Sequence, residues 1–326
     1  MKLGIIGGGA WGTALAQVAA SGGRETLIWA MEQEVVDSIN DRRENSLFLP
    51  GIALDAAIRA TANIEELGSC DGWLVVTPAQ HMRSVLERAL ECDKPMVLCS
   101  KGIEEKSSEL LHDVARQACP GAKLAVLSGP TFAHEVATAL PTAVTLAAED
   151  LQLAERLRER LALPTFRIYV SDDVAGAEVG GAVKNVLAIA CGVVEGRRLG
   201  QNARAALIAR GFAEMARFGI ACGAKRETLA GLSGLGDLVL TCSSTSSRNY
   251  SLGKGLGEGR SAAELLADRR TVAEGAFTAP VLDRIARERG IDMPIVAAVH
   301  ALIAGRASVD QVLDELLSRP PRAEGI

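Results

Sequence analysis

The chain has 326 residues, of which 48% are apolar and 23% are charged, and its formal net charge is −5. This composition excludes an intrinsically disordered protein, which combines low hydrophobicity with high net charge. The pI of about 5.6 argues against a general nucleic-acid binder, because a polyanionic partner favours a basic face. The length predicts about two domains.

Targeting, membrane and metal signals are weak in this sequence, and we expect a cytoplasmic protein. The N-terminus runs directly into the apolar residues Leu3–Ile6, without a long apolar leader. No membrane span is predicted, because Lys184 and Asn185 interrupt the longest apolar run, residues 182–194. The cysteines form no CxxC pair and the histidines have no metal-ligand spacing, so we expect reduced, buried thiols and no metal site.

The first half of the chain alternates short apolar runs with amphipathic stretches. Strands are predicted at residues 3–6, 26–29, 72–76, 96–100, 124–128, 142–146 and 166–170. Helices are predicted between them, at residues 10–20, 82–90 and 110–118. Such alternation indicates an α/β fold, with a mostly parallel sheet covered by helices on both faces.

The second half is predicted to be all-helical. Helices are expected at residues 175–195, 203–218, 262–266, 279–289, 294–303 and 309–317, with Gly- and Ser-rich connectors at 230–237 and 242–259. The change in pattern predicts two domains, residues 1–175 and 176–326. The tail from residue 318 onward is expected to fray.

A glycine motif follows the first strand and opens the first helix. Its residues are Gly7, Gly8, Gly9, Ala10, Trp11 and Gly12. Gly7 can make the tight turn, Gly9 lets the backbone approach a pyrophosphate, and Gly12 lets helix and strand pack closely. The helix N-terminus offers N–H groups and a positive dipole to the anion. The motif predicts dinucleotide binding and an N-terminal Rossmann-like domain, although a glycine-rich turn without a ligand is the simpler alternative.

The choice between NAD and NADP depends on the residues after the second strand. An acidic side chain there accepts the ribose hydroxyl groups of NAD, whereas an arginine favours the 2′-phosphate of NADP. Glu32 favours NAD, but it is equally compatible with a solvated residue in the first turn of a helix.

Two further segments follow predicted strands, where ligands of open α/β sheets bind. Lys101 comes directly after the strand that ends at Ser100, and it can hold a phosphate or an alkoxide or simply be solvated. In the segment Ser128–Ala133, Gly129 fixes a turn that directs Thr131 towards the same edge, although an ordinary strand-to-helix turn has the same pattern.

Lys184 lies within an otherwise apolar helix and is the candidate general acid and base. Its apolar neighbours predict at least partial burial, which lowers a lysine pKa towards neutrality. The alternative is a lysine that extends from a packed helix to solvent. The adjacent Gly180 and Gly181 permit close approach of a ligand or of another backbone, which favours a functional role.

The last candidate cluster contains Asp237 and the residues Ser247, Arg248 and Asn249. An arginine fork matches phosphate oxygens, and serine and asparagine can add hydrogen bonds. Few basic residues occur in this stretch, which fits one small anion better than a nucleic acid. A flexible serine-rich connector is the alternative interpretation.

In chain order, these motifs closely resemble those of bacterial NAD(P)-dependent glycerol-3-phosphate dehydrogenases. The resemblance covers nearly the whole chain. It is carried by residues 6–16, 100–102, 128–133, 180–185, 234–238, 247–249 and 273–275. It implies reversible hydride transfer between a nicotinamide and sn-glycerol 3-phosphate, with dihydroxyacetone phosphate as the oxidised product. It also implies a supply of glycerol 3-phosphate for phospholipid synthesis, and a homodimer.

The resemblance also implies roles for individual residues. Lys184 falls on the catalytic proton donor and acceptor, and Lys101 on a lysine that contacts substrate and cofactor. Substrate-binding positions fall on Gly129, Thr131, Asp237, Ser247, Arg248 and Asn249. Cofactor positions fall on Ala10, Trp11, Ala133, Arg248, Val272 and Glu274.

One departure from the family concerns the adenosine ribose. Many members carry Arg or His where this chain has Met31, so a preference for NADPH does not carry over. Ala273 replaces a more usual valine. Two alternative functions are a related β-hydroxyacid dehydrogenase with the same two-domain layout and a non-catalytic protein that binds NAD(P). A carboxylate substrate would not need Arg248 to hold a phosphate.

Overall fold

The computed structural model describes residues 2–88, 93–267 and 273–320. These residues form two compact units. The first contains the described residues up to Ser100 and again Leu111–Val174. The second contains Lys101–Leu110 and the described residues from Ala175 onward.

The first unit is built on one sheet, which has eight strands in the described part of the chain. The strands are β1 Lys2–Ile6, β2 Glu25–Trp29, β3 Ile58–Thr61, β4 Gly72–Val75, β5 Pro95–Leu98, β6 Lys123–Ser128, β7 Thr142–Ala147 and β8 Phe166–Ser171. Their order is β3-β2-β1-β4-β5-β6-β7-β8, and every neighbouring pair is parallel except β6 and β7. The predicted α/β fold class is confirmed.

Helices accompany the sheet in the first unit. They are α1 Ala10–Ser21, α2 Gln33–Arg42, α3 Met82–Arg88, α4 Leu111–Ala118, α5 Ala133–Ala137 and α6 Leu151–Leu161. The central strands are apolar throughout and almost completely buried, as in β4 and the last four residues of β1, because helices cover a parallel sheet on both faces. The edge strand β3 was not predicted from the sequence, because it has only four residues and includes the exposed Arg59.

The parallel strands bring several loops to one edge of this sheet. Because β1, β4, β5 and β6 all run in the same direction, their carboxyl ends lie at that edge. The glycine motif follows β1, Thr77 lies two residues after β4, and Gly129 follows β6 directly. The topology therefore places these loops where ligands of such sheets bind.

The second unit is helical. Its elements are α7 Val174–Gly196, α8 Gly200–Ala221, α9 Arg226–Leu229, α10 Asp237–Thr241, α11 Arg248–Gly257, α12 Ala262–Leu265, α13 Glu274–Glu288, α14 Pro294–Ile303 and α15 Val309–Ser318. A π-helical turn, Leu232–Gly236, precedes α10 directly. The predicted all-α character of this half is therefore confirmed.

Helix α7 is the central helix of the second unit. It is long and apolar enough to cross a membrane, but 94% of its most apolar window is buried inside the protein. Its side chains belong to the apolar core that α8, α11, α13 and α14 also build. Length and hydropathy alone are weak evidence for a membrane span, since the core helix of a globular unit has the same properties.

Other details also differ from the sequence predictions. The segment Lys101–Leu110 belongs to the second unit, whereas the predicted division at residue 175 placed it in the first. The predicted connector 242–259 contains α11, whose glycines pack against α7. Helix α13 begins at Glu274, five residues before the predicted start. The end of the predicted frayed tail, residues 321–326, lies outside the described residues.

A buried carboxyl group joins α8 to the start of α14. Glu214 is 1% exposed, and its carboxyl oxygens accept the backbone N–H groups of Ile295 at 2.8 Å and Val296 at 3.2 Å. Burial raises the pKa of Glu214 to about 7, although these two hydrogen bonds and Arg217 lower it and Asp292 raises it further. The carboxyl group thus caps a helix N-terminus that lacks a cap of its own.

We predict that Glu214 makes the stability of this protein depend on pH. Its pKa is raised in the folded state, so the folded chain binds the proton more tightly, and stability is lost as the pH rises from about 4.5 to 7. The shift corresponds to about 3 kcal/mol. Thermal unfolding between pH 5 and 8 should show Glu214→Gln gaining stability relative to the wild type as the pH rises. For the exposed control Glu288→Gln, the difference in Tm from the wild type should not change with pH. A pH-independent difference for Glu214→Gln would contradict the prediction.

Candidate functional site

The glycine motif in the first unit forms a tight turn between β1 and α1. Gly7 has φ +126°, a conformation that other residues rarely adopt. A Cβ atom on Gly12 would lie 2.0 Å from the carbonyl oxygen of Gly7, and one on Gly8 would lie 2.5 Å from the Cβ of Ala30. These glycines are therefore required by the packing of the turn itself.

Gly9 differs from its neighbours, because it has open space beside it. A Cβ atom on Gly9 would meet no atom within 4 Å. Gly9 is also the N-cap of α1 and supplies no capping side chain to the first turn of that helix. The residues here fit a pyrophosphate, which needs backbone N–H groups and room for close approach.

Asn45 holds the glycine turn in place, and sequence reasoning missed it. Its buried Nδ2 donates to the Gly8 carbonyl oxygen and to Thr13 Oγ1, both at 2.8 Å. Thr13 Oγ1 in turn donates to the Gly9 carbonyl oxygen at 3.0 Å. No local pattern marks Asn45, which is 32 residues from Thr13 in the chain.

Three buried polar atoms near this edge have no hydrogen-bond partner among the described residues. They are Trp11 Nε1, Thr77 Oγ1 and Ser128 Oγ. Trp11 lies in the first turn of α1, Thr77 follows β4, and Ser128 ends β6. Buried polar groups are normally paired, so their grouping fits a ligand with several hydrogen-bonding groups. Thr77 and Ser128 are additional candidates beyond the predicted set.

The other predicted residues of the first unit lie in loops after strands. Met31 is 76% exposed and follows β2, and Glu32 is the partly exposed N-cap of α2. Gly129 has φ +157° and accepts a hydrogen bond of 3.4 Å from Thr131 Oγ1 to its carbonyl oxygen. Ala133 is the first residue of α5.

In the second unit, one carboxylate binds both predicted catalytic lysines. Asp237 Oδ1 accepts from Lys184 Nζ at 2.8 Å, and Asp237 Oδ2 accepts from Lys101 Nζ at 2.7 Å. The side chains of Asp237, Lys184 and Lys101 are 0%, 8% and 14% exposed. The structure thus brings together three predicted residues that are distant in the sequence.

Thr241 completes this cluster and was absent from the predicted set. Lys184 Nζ donates to Thr241 Oγ1 at 2.9 Å, and Thr241 Oγ1 donates to Asp237 Oδ1 at 3.2 Å. Thr241 follows Asp237 by four residues in α10, so both side chains lie on one helix face. That spacing was the signal by which the sequence could have revealed Thr241.

Lys101 reaches this cluster because its segment packs on the second unit. Ile103 is 1% exposed and belongs to the apolar core of that unit. Arg284 of α13 donates to the carbonyl oxygen of Glu105 at 2.8 Å and to Ser108 Oγ at 2.6 Å. These contacts hold the segment Lys101–Leu110 against the helices that carry Lys184 and Asp237.

The surroundings of Lys184 give it a titration range suited to proton transfer. Burial lowers the pKa of Lys184 to about 8; Asp237 opposes this effect and the Lys101 ammonium adds to it. A group with a pKa near the working pH can both donate and accept a proton. The predicted burial of Lys184 is therefore present, and its side chain does not extend to solvent.

A second polar cluster lies one residue further along α7. Asn249 Nδ2 donates to Asn185 Oδ1 at 2.9 Å, and Asn249 Oδ1 accepts the backbone N–H of Gly275 at 2.9 Å. Both asparagines are buried. This network joins α7, α11 and the N-terminus of α13.

The predicted anion-binding residues surround this second cluster. Ser247 is the N-cap of α11, where its hydroxyl accepts the N–H of Tyr250 at 3.2 Å, and the exposed Arg248 is the first residue of the helix. Glu274 begins α13 and lies close enough to Arg248 to interact electrostatically. Val272, a predicted cofactor contact, lies outside the described residues.

Comparison with known proteins gives the family of this chain. The family model for the N-terminus of NAD-dependent glycerol-3-phosphate dehydrogenase matches residues 2–154, and the model for the C-terminus matches residues 173–314. The chain belongs to this family. It is an NAD(P)-dependent oxidoreductase, and the family resemblance of its motifs is confirmed.

Two relatives and a solved structure match this chain over nearly its whole length. The sequence is 62% identical to the glycerol-3-phosphate dehydrogenase [NAD(P)+] of Erythrobacter litoralis, over 99% of this chain and 98% of the relative. It is 63% identical to the enzyme of that name from Novosphingobium aromaticivorans, with the same coverage. The glycerol-3-phosphate dehydrogenase structure from Coxiella burnetii superposes with a TM-score of 0.93 at 38% identity, covering 98% of this chain and 99% of that one.

We predict that Gly9→Ala impairs cofactor binding without unfolding the protein. Its Cβ atom meets nothing within the chain, so the loss of stability should stay below about 1 kcal/mol, the cost of a poorer N-cap. The methyl group would occupy space that a pyrophosphate needs. Calorimetric titration with NADH should show at least about a tenfold weaker Kd, corresponding to 1.4 kcal/mol.

Gly8→Ala is the matched comparison for this experiment. Its Cβ atom would lie 2.5 Å from that of Ala30, so it should lower the Tm as well as the affinity. Unchanged NADH binding by a folded Gly9→Ala protein would contradict the assignment of Gly9 to the cofactor site.

Proposed function

We propose that this enzyme transfers hydride between a nicotinamide and C2 of sn-glycerol 3-phosphate, with Lys184 as the proton donor and acceptor. Membership of the glycerol-3-phosphate dehydrogenase family gives the reaction. The buried ammonium of Lys184, hydrogen-bonded to Asp237 and Thr241, is the observation that supports the role of this residue.

The reaction needs positive charge and a proton at the substrate oxygen. Bound NAD(P)H supplies the hydride to the carbonyl carbon of dihydroxyacetone phosphate. As the carbonyl is reduced, negative charge develops on its oxygen, and the Lys184 ammonium stabilises this charge and delivers the proton. In the oxidative direction, neutral Lys184 accepts the hydroxyl proton.

The charge balance of the cluster favours this chemistry. Two ammonium groups share one carboxylate, so the cluster carries one net positive charge while both lysines are protonated. This charge attracts a developing alkoxide in surroundings of low dielectric constant.

We assign the substrate phosphate to the residues at the N-terminus of α11. Arg248 is exposed there, and its planar fork can bind phosphate oxygens in a bidentate manner. Ser247 and Asn249 flank it in the chain. Binding energy from the phosphate would hold the reacting carbon in position. This assignment favours glycerol 3-phosphate over the β-hydroxyacid substrates of the alternative function.

The remaining assignments concern cofactor, location and assembly. We propose that the first unit binds NAD or NADP through its glycine turn and that the second unit supplies the catalytic residues. Glu32 favours NAD, since an acidic side chain accepts ribose hydroxyl groups. Met31 carries no positive charge to bind the 2′-phosphate of NADP. We further propose a cytoplasmic homodimer that supplies glycerol 3-phosphate for phospholipid synthesis, as the family resemblance implies.

Replacing Lys184 by alanine should abolish turnover while leaving cofactor binding intact. The variant loses both the proton donor and one cation, and a loss of about 10²- to 10⁴-fold in kcat for dihydroxyacetone phosphate reduction is expected. The decrease in absorbance at 340 nm measures turnover, and titration with NADH measures binding. Lys106→Ala, at an exposed lysine of the same unit, is the control and should retain full activity. Near-normal turnover of Lys184→Ala would refute the role.

The pH dependence should report the titration of Lys184. Reduction needs the ammonium, so kcat/KM for dihydroxyacetone phosphate should fall as the pH rises through about 8. Oxidation of glycerol 3-phosphate needs the neutral amine and should rise through the same range. In Asp237→Asn the attraction that raises the pKa of Lys184 is lost. The fall in kcat/KM, which is the descending limb of the pH profile, should therefore move to lower pH by about one unit or more. If the fall in kcat/KM occurs at the same pH in Asp237→Asn as in the wild type, the titrating group is not Lys184.

A further inference from the structure

The backbone of α7 touches the π-helical turn directly at Gly180. A Cβ atom on Gly180 would lie 2.3 Å from the carbonyl oxygen of Ser233 and 2.8 Å from the Cα of Gly234. Both are backbone atoms, which cannot rotate away as a flexible side chain can. Only glycine permits this separation between the two elements. The close approach that Gly180 allows is therefore to another part of the chain.

This contact lies one turn before the catalytic ion pair on both elements. Lys184 follows Gly180 by four residues in α7, and Asp237 follows Ser233 by four residues. In α7, residues four apart lie on the same helix face, about 6 Å apart along the axis. Gly180 therefore touches the turn that leads directly into Asp237, and Lys184, on the same face of α7, donates to Asp237 Oδ1 at 2.8 Å.

The π-helical turn is itself fixed by backbone packing. A Cβ atom on Gly234 would lie 1.9 Å from the carbonyl oxygen of Leu229, and the N–H of Gly236 donates to the carbonyl oxygen of Gly231 at 2.9 Å. Ser233 is buried, but its hydroxyl has no hydrogen-bond partner among the described residues. Backbone contacts, and not the Ser233 hydroxyl, therefore hold this turn. Single π-helical turns are rare and frequently occur at functional sites, and here Asp237 follows directly.

We propose that Gly180 and the π-helical turn Leu232–Gly236 are positioning elements that set the geometry of the Lys184–Asp237 ion pair. They touch no reacting atom and act through Asp237. This inference rests on the catalytic role proposed for Lys184. The sequence motif left open whether Gly180 allows a ligand or another part of the backbone to approach. The inference assigns Gly180 to the approach of the backbone.

The same helix offers a matched control. A Cβ atom on Gly196 would also lie 2.3 Å from a backbone oxygen, that of Lys254 in α11. Gly196 is 16 residues from Gly180, about 24 Å along the helix axis. Gly180→Ala and Gly196→Ala thus introduce the same clash on one helix, but only the first adjoins the turn before Asp237.

The test compares stability, kinetics and pH profiles of the two variants. Both should lower the Tm by similar amounts. Gly180→Ala should also reduce kcat for dihydroxyacetone phosphate reduction at least tenfold, with an unchanged Kd for NADH, and it should move the descending limb of kcat/KM to lower pH. Gly196→Ala should retain the wild-type pH profile and a kcat within twofold of the wild type. If Gly180→Ala keeps the kcat and profile of Gly196→Ala, the inference is wrong.

A milder pair of variants serves if Gly180→Ala does not fold. Ser233→Gly loosens the backbone of the turn without adding a clash, so it should lower kcat about threefold and move the pH profile in the same direction. Ser233→Ala removes only a hydroxyl without a partner and should leave both unchanged. Equal behaviour of the two Ser233 variants would overturn the proposal.

Lys184→Ala in the same assay separates this inference from the proposed function. If Lys184→Ala is inactive but Gly180→Ala has the wild-type pH profile, only the positioning role of Gly180 is overturned. An active Lys184→Ala would overturn the catalytic role on which the inference depends.

Discussion

The second unit depends on one carboxylate, Asp237, that holds two lysine ammonium groups away from water. Removing charges from water costs several kcal/mol for each ion, and close partners must offset that cost. Asp237 supplies a separate oxygen to each lysine, and Thr241 supplies a further acceptor to Lys184. The geometry leaves Lys184 with a pKa of about 8, low enough to lose its proton under mild conditions.

Several unusual features of the chain serve this arrangement. The segment Lys101–Leu110 leaves the α/β unit and packs against helices, which brings Lys101 to Asp237. The π-helical turn leads directly into α10, and Gly180 lets α7 approach that turn. None of these features is needed for a helical core as such. Together they place three charged side chains within hydrogen-bond distance.

Glycine has two different uses in this enzyme. Gly12 and Gly180 allow two parts of the backbone to pack closely, and a side chain at either position would clash within the protein. Gly9 has open space around it, which fits a ligand and not a packing requirement. The sequence shows the same residue type in all three cases, and only the surrounding atoms distinguish a packing role from a binding role.

The sequence by itself determined the α/β unit, the helical unit, the glycine turn and the buried lysine. These follow from local patterns: apolar runs of strand length, helical periodicity, and a charged residue surrounded by apolar ones. Ordered motifs along the chain also identified the family. The short edge strand β3 was missed because its pattern is too brief and includes an exposed arginine. Only the tertiary structure showed that Lys101 joins the second unit, that Asp237 binds both lysines, and that Asn45 holds the glycine turn. Hydrogen bonds and ion pairs between distant residues depend on how the elements pack, and no local pattern in the chain encodes that packing.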